Sequence, residues 1–395
     1  MVRTGRFVRA MSELVQGALY PAVRPKDIRA FEVSLPPLAE QRRIVAAIEA
    51  VLARVNAARE RLSRTRDNLK RYRAAVLNAA VEGRLTEDWR AEHAGEVEPA
   101  EVLLRHILDE RRRLWEEAEK ARYAAAGKRA PFDWRSRYKE PAAPDTSELP
   151  ELPDGWLWTS TDQLVSYLRN GLAQKPQLDP PGHRILRISA VRPMSVDLSD
   201  VRYLREPPDK VRGFWIEDGD LLLTRYNGSV DLLGVAGKVR DCSEPTLHPD
   251  KLIRVRTVVP EPLADYLELT LNVGESRRHL ERRARSSAGQ TGISGQDVRE
   301  TPVPLPPLTE QQVVIQRVGR LLSLASAIDT RIATALAQTE RMKDALLAKA
   351  FRGELVPQDP ADEPAAVMLE RLRSAHGEDR TPRTGHPRGR PRQAR

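Results

Sequence analysis

The side chains of this sequence with the chemistry to bind or react are spread along it rather than grouped. Five arginines, Arg277, Arg278, Arg282, Arg283 and Arg285, lie close together, a density of cationic donors that suits a run of phosphates. Glu275 and Glu281 interleave with them, so a solvated helix face of alternating charge is an equal reading. Gly234-Val-Ala-Gly-Lys238 is too short for a phosphate-cradling loop and lacks the Ser or Thr that should follow its lysine. The histidines His93, His106, His183, His248, His279, His376 and His386 show no metal-ligand spacing. His248, in Leu247-His-Pro-Asp250-Lys251, suits an acid/base pair, but a turn with a structural hydrogen bond fits it better. Asp218 and Asp220 flank Gly219 as turn residues should; only with a lysine would they serve a metal-dependent nuclease, the weakest reading. Cys242 is the sole cysteine, which excludes an internal disulfide and any cysteine-based zinc or iron–sulfur site. No Asp/Asn-Pro-Pro-aromatic motif for amino-methyl transfer occurs, nor a glycine fingerprint for a nucleotide-type cofactor. The pattern is not that of a catalyst.

The elements that must position these side chains belong to a chain of 395 residues, enough for two or three domains. Hydrophobic residues make up 40% and the mean hydropathy is −0.52, the balance of a soluble protein. The sequence has no long uninterrupted apolar run, and Met1-Val-Arg-Thr-Gly-Arg lacks the apolar core of a signal peptide, so a cytoplasmic location without membrane contact is expected. Sixty-five basic residues against 56 acidic ones give +9. That charge is uneven: residues 1–88 hold 17 basic and 10 acidic side chains, whereas 154–302 hold 21 of each. Nucleic-acid binding by the middle of the chain therefore needs local clustering.

The strongest internal signal is a repeat. Residues Asp27–Leu85 align without a gap onto Asp297–Leu355, always 270 positions later. Val33-Ser-Leu-Pro-Pro-Leu-Ala-Glu-Gln41 becomes Val303-Pro-Leu-Pro-Pro-Leu-Thr-Glu-Gln311, and Gly83-Arg-Leu85 becomes Gly353-Glu-Leu355. Pro36, Pro37, Pro306 and Pro307 make each motif an extended lead-in, and the run that follows, free of proline, predicts one long helix. Ile44, Ile48, Val51, Val55, Ala58, Leu62, Thr65, Leu69, Tyr72 and Val76 alternate at spacings of four and three. Their partners are Val314, Val318, Leu321, Ala325, Ile328, Ile332, Ala335, Thr339, Met342 and Leu346. One heptad frame held for about five heptads is a coiled-coil seam. Each rod spans roughly 60 Å at 1.5 Å per residue. Two equal rods in one chain most simply pack against each other; the heptads leave their direction open.

Between the rods, residues 97–120 read as an accessory helix, with Val102, Leu103, Ile107, Leu108 and Leu114 on its apolar side, followed by a proline-rich linker. From Leu152-Pro-Asp-Gly-Trp156 to about residue 302 the pattern is that of one α+β domain. Strands are expected at Ile185–Ile188, Gly219–Thr224, Asp231–Val239 and Leu252–Val258, and a helix over 262–283. The tail from 361 to 395, with six arginines and no acid from Arg380 on, reads as disordered and basic.

The doubled Leu-Pro-Pro-Leu-x-Glu-Gln with its long helix, enclosing a single domain, resembles the specificity subunit of type I restriction–modification systems. Leu149-Pro-Glu-Leu-Pro-Asp-Gly-Trp156, Gly219-Asp-Leu-Leu-Leu, Asn227-Gly228 and Gly289-Gln-Thr-Gly-Ile293 fit the same pattern, and the likeness covers about 27–360. The resemblance implies a non-catalytic subunit whose target-recognition domain reads half of a split double-stranded DNA sequence, with antiparallel helices acting as a ruler. It further implies docking of methyltransferase subunits, which methylate adenine N6, and of a restriction subunit. S-adenosylmethionine, ATP and Mg would then sit on those partners, with no cofactor or metal on this chain and no catalytic residue to assign. The sequence departs from the family in having only a remnant of a first recognition domain, so a second copy of the chain or a separate recognition-domain chain joins the expected partners. The expected boundaries are 1–37 for that remnant and its lead-in, 38–88 for the first long helix, 89–148 for the accessory helix and linker, 149–302 for the recognition domain, 303–360 for the second conserved helix and 361–395 for the tail.

Within that resemblance, base reading needs hydrogen-bond donors and acceptors in a groove. Arg225 and Asn227, at a strand end and turn, are the first candidates, then Arg187, Gln290 and Thr291; each has a structural reading too, since Asn227-Gly228 is a good turn by itself. Arg277, Arg278, Arg282, Arg283, Lys210 and Arg212 suit phosphates. The rival readings are a coiled-coil scaffold that binds only protein, or an inactive truncated fragment.

Overall fold

The computed structural model describes residues 5–15, 22–287 and 290–378, which divide into two compact units. One combines Met1–Leu69 with Ala327–Arg395, and the other is Lys70–Ser326. The principal helices are α1 (Leu38–Val81), α2 (Ala100–Ala125), α3 (Leu263–Asn272), α4 (Gly274–Arg283), α5 (Leu308–Phe351) and α6 (Ala365–Glu378). No helix among the described residues is long and apolar enough to cross a membrane.

The repeat is visible in how α1 and α5 begin and end. Each starts where two prolines fix φ and lack an amide donor, and the motif glutamine folds back on the lead-in: Gln41 Nε2 donates to Pro36 O and Gln311 Nε2 to Pro306 O, both at 2.9 Å. Each stops at a glycine with positive φ, +73° at Gly83 and +72° at Gly353, a left-handed turn that lets the chain leave the helix.

In the first unit, α1 and α5 run antiparallel. Arg59 pairs with Glu340 and Arg66 with Asp329, so numbers fall along α5 as they rise along α1. Val55, Leu69, Ile332 and Leu346 are buried, while Ile44, Ile48, Val51 and Leu62 are half-buried. Ile328, expected in the seam, is 43% exposed instead. At about 100° per residue Ile328 lies about 40° round the helix from the buried Ile332, at the edge of the seam. Tyr72 and Met342 are also exposed. Residues 361–378 depart from the disordered tail expected there: Ala365–Glu378 is helical, and Asp362 pairs with Arg43 at 2.7 Å. An Ala-Ala-Val-Met-Leu run suffices for helix despite the flanking charge. The rest of the tail lies outside the described residues.

The second unit holds the mixed domain and the remaining turns of α1 and α5. Here too the helices are antiparallel: Arg73 reaches Ser326, and Arg317 reaches Leu85 O at 2.9 Å and Asp88 Oδ1. Val76, Ala80 and Val81 form one core with Val314, Val318 and, from α3, Tyr266 and Leu269. The strands are β1 (Leu157–Ser160), β2 (Val165–Asn170), β3 (His183–Leu186), β4 (Val191–Arg192), β5 (Ser195–Val196), β6 (Val201–Leu204) and β7 (Leu221–Thr224). They continue as β8 (Tyr226–Asn227), β9 (Ala236–Lys238), β10 (Thr246–Leu247), β11 (Leu252–Thr257), β12 (Arg285–Ser287), β13 (Gln290–Gly292) and β14 (Pro302–Leu305). The central sheet has the order β2-β11-β7-β9, all antiparallel. Because side chains alternate along a strand, Leu221 and Leu223 face one core with Leu263, Leu267 and Leu271 of α3, while Leu222 faces a second with Leu186, Val191 and Leu252. That two-sided burial explains the Leu-Leu-Leu run. Ile107 of α2 is fully buried in the first core, so the accessory helix is part of this unit's packing.

Two sequence expectations change. The strand expected over Asp231–Val239 is confined to Ala236–Lys238, after a short turn at Val230–Leu232. The single helix expected over 262–283 is two, α3 and α4, broken where Gly274 has φ +68° and a Cβ would stand 2.8 Å from Val81 Cγ2. A prediction follows for the seam. Ile332→Ala, at a buried site, should lower unfolding free energy by about 2–5 kcal/mol, and Ile328→Ala by no more than about 0.5 kcal/mol, in urea melts followed by helical circular dichroism.

Candidate nucleic-acid interface

Beside the apolar core that Tyr266 and Leu269 share with the long helices, one buried carboxylate ties the mixed domain to them. Glu310, the glutamate of the second proline motif, is 1% exposed. It accepts hydrogen bonds from Thr86 Oγ1 (2.6 Å), Arg90 Nη1 (2.5 Å) and Trp156 Nε1 (2.8 Å). The motif thus ties the turn after α1 to the start of the mixed domain. The domain's ends are tied as well: β1 and β14 pair antiparallel, Leu157 opposite Leu305 and Ser160 opposite Pro302. Prolines are tolerated in β14 because it pairs on one side only.

On this frame sits a small sheet of order β12-β13-β8. Its register sets Asn227 opposite Thr291, and Gly292 between Tyr226 and Arg285. Alternation therefore puts Asn227 and Thr291 on one face, with Tyr226 and Arg285 on the other. Arg225 enters β8 with its backbone N–H on Lys251 O at 2.8 Å and its carbonyl accepting from Ile293 at 3.0 Å. Its guanidinium carbon lies 4.7 Å from the Tyr226 ring centroid, and its buried Nε has no hydrogen-bond partner. Among the described residues no carboxylate pairs with Arg225. Asn227 Oδ1 accepts from Ser229 N–H at 3.1 Å, which is the turn role expected of Asn-Gly. Gly292 gives the Gln-Thr-Gly motif a physical reason: a Cβ there would lie 2.5 Å from Tyr226 Cδ1. Arg225, Asn227 and Thr291 are thus brought together with the backbone of Gln290, and Gly289 lies outside the described residues.

The other candidates separate. Arg187 stands at the end of β3, in the sheet of order β10-β3-β6, and pairs with Asp200 at 2.9 Å. Arg277, expected on phosphates, is instead 8% exposed; it grips Glu281 at 2.7 Å and the carbonyls of Leu233 and Asp231. Its planar fork satisfies two carbonyls beneath α4 while it pairs with the exposed Glu281, so it is structural. Arg278 and Arg282 share Glu275, at 2.6 and 3.6 Å, and hold it below the usual carboxylate range. Arg283 pairs with Glu300 at 3.3 Å and Lys210 with Glu206 at 3.5 Å, all at the surface, and Arg212 is exposed. Arg285, the fifth arginine of the cluster, is exposed on β12 opposite Gly292.

Two acid/base readings close. Asp220 is fully buried, accepts from Arg256 Nε at 2.7 Å and Nη2 at 3.0 Å, and receives Glu217 N–H at 2.8 Å. It is a turn-and-sheet staple rather than a nuclease carboxylate. His248 is fully buried with Nδ1 on Phe214 O at 2.8 Å, and burial pushes it down to about 4.

No protein-family model matches the chain. The specificity subunit of type I restriction enzyme EcoKI from Escherichia coli K12 is 31% identical over 373 residues, covering 92% of this chain and 68% of that protein. The chain belongs to the type I restriction enzyme specificity subunits. The StySPI specificity subunit from Salmonella potsdam is 27% identical over 372 residues, again 92% and 68%. A chain in a solved structure of complex assembly and conformational transition of the type I R-M system shares the fold, with TM-score 0.52 and 18% identity, over 86% of this chain and 65% of that one. The chain therefore spans about two thirds of the length of these relatives. As a specificity subunit it is a non-catalytic, DNA-recognition component, which disfavours the scaffold and inactive-fragment readings.

Two predictions test this frame. Glu310→Ala strands Arg90, Thr86 and the Trp156 indole, so it should destabilise by about 3–5 kcal/mol, with Glu310→Gln intermediate, in urea unfolding. The depressed His248 pKa means that the unfolded chain takes up a proton that the native one refuses between pH 6.5 and about 4. Its stabilisation is complete above about pH 6.5 and is lost as pH falls toward 4, up to about 3 kcal/mol. A His248→Asn variant should lose less stability than the parent between pH 7 and 4.5 in thermal melts.

Proposed function

We propose that this chain reads one half of a split double-stranded DNA target through the β8–β13–β12 sheet and its approaches. The observation that carries this is the register that gathers Arg225, Asn227 and Thr291, with Arg225 free of any carboxylate partner among the described residues. Arginine presents the donor pair that fits the N7 and O6 acceptors of guanine, and asparagine the donor and acceptor that fit N7 and N6–H of adenine. Arg278, Arg282 and Arg283 on α4, with Arg285 on β12, supply the sequence-blind attraction of phosphates. The antiparallel helices fix the gap to the other half-site. Methyltransferase and restriction subunits dock on the chain, and S-adenosylmethionine, ATP and Mg serve those partners' chemistry of adenine N6 methylation, translocation and cleavage.

The test is DNA binding by the chain assembled with its methyltransferase subunits. Asn227→Ala and Arg225→Ala should relax preference at individual base pairs by about 1–3 kcal/mol. Arg278→Ala and Arg282→Ala should weaken all sequences alike and reduce the salt slope by about one each. Uniform weakening by the first pair would remove them from base reading.

A further inference from the structure

The accessory helix α2 carries its charge unevenly. Residues 100–119 hold four basic and six acidic side chains, whereas 120–139, its last turns and the segment after it, hold seven basic and one acidic. That segment is pinned by its own contacts. Lys128 N–H donates to Tyr123 O at 2.9 Å and Trp134 N–H to Pro131 O at 3.2 Å. Trp134 is buried and stacked on Trp115, their ring centroids 5.8 Å apart, with the Arg135 guanidinium carbon 5.0 Å and Lys120 Nζ 5.8 Å from its ring. Arg137 Nη1 donates to the Tyr123 hydroxyl at 3.2 Å. On this fixed backbone Phe132 stands fully exposed. A lone exposed phenylalanine signifies little by itself, but this one stands among unpaired cations. Lys128, Arg129 and Lys139 are exposed and have no ion pair among the described residues. The arginines of α4 differ, because Arg278 and Arg282 share Glu275 and Arg283 holds Glu300. A phosphate must compete with a carboxylate there, and at Lys128 and Arg129 it need not.

We propose that residues 120–139 form a second DNA contact, outside the β8–β13–β12 sheet, that grips the duplex without reading its sequence. This rests on the reading of the chain as a subunit that holds double-stranded DNA. The ligand class follows from the combination of side chains. Unpaired lysine and arginine take phosphate oxygens and release condensed counterions, and a phenylalanine among them meets the apolar sugar and base edges of a groove. An acidic protein face would match the cations as well. Duplex DNA is favoured because its charge is dense and evenly spaced, and because this chain already holds it under that reading. Such a contact adds affinity to every site alike and leaves selectivity to the sheet.

The experiment measures binding of two duplexes, equal in length and different in sequence, by the full chain assembled with its methyltransferase subunits, across a salt series. Lys128→Ala combined with Arg129→Ala should reduce the slope of log K against log salt by about two on both duplexes, with their affinity ratio unchanged. Phe132→Ala should weaken both duplexes about tenfold and leave the slope as it was. Arg105→Ala, at an exposed cation in the acidic part of α2, should change neither quantity. These four side chains are exposed, so their removal leaves the packing of α2 intact. A slope unmoved by the Lys128 and Arg129 substitutions, or lowered as much by Arg105→Ala, overturns the proposal. A photoreactive p-benzoylphenylalanine in place of Phe132 gives a second readout, with crosslinks to the DNA strands expected. Crosslinks to a methyltransferase subunit instead would assign the face to protein and likewise overturn it. Equal affinity of the parental complex for both duplexes would count against half-site reading alone, since the slope does not depend on sequence.

Discussion

A single buried carboxylate sets where the recognition domain sits on its helices. Glu310 lies two residues into α5, shortly after the prolines that follow β14, so local backbone geometry sets where it stands at the start of the helix. Burying a charge is unfavourable unless it is paired and hydrogen-bonded, and here an arginine, a hydroxyl and an indole converge on it. These donors come from the turn after α1 and from the segment entering β1. Their convergence explains the acidic residue three places after the second proline in the second copy of the motif. The β1–β14 ribbon then closes the domain on itself beside that point, and the small sheet with Arg225 and Asn227 is carried on the resulting frame.

Much of the architecture was legible in the sequence because it is periodic or repeated. The heptads marked both long helices, and the fixed offset showed that one structural device had been used twice. The Leu-Leu-Leu run after Gly219 announced a strand, and the structure shows it buried on both faces. What escaped was set by three-dimensional neighbours. Gly274 splits an apparently continuous helix because Val81, distant in sequence, leaves no room for a Cβ. Ile328 satisfies the heptad yet is exposed, because it sits about 40° round the helix from Ile332, at the edge of the seam.

The candidate site was legible in part where it rests on local turn chemistry. Turn chemistry placed Arg225 and Asn227, and strand pairing alone brought Thr291 to Asn227. Arg277 looks like its neighbours on paper; only its position on the inward side of α4, over the Leu233 and Asp231 carbonyls, makes it structural. Glu310 carried no sequence signal beyond its recurrence in the motif, because the partners that explain it lie more than 150 residues away.

The central claim is that this chain confers DNA sequence specificity on methyltransferase partners that lack it. Methylome sequencing of cells carrying the gene with its own methyltransferase subunit, beside cells lacking only this gene, tests that claim most directly. The account predicts a split N6-methyladenine motif present only when this chain is made. Soluble co-expression that leaves the methylome unchanged would contradict it.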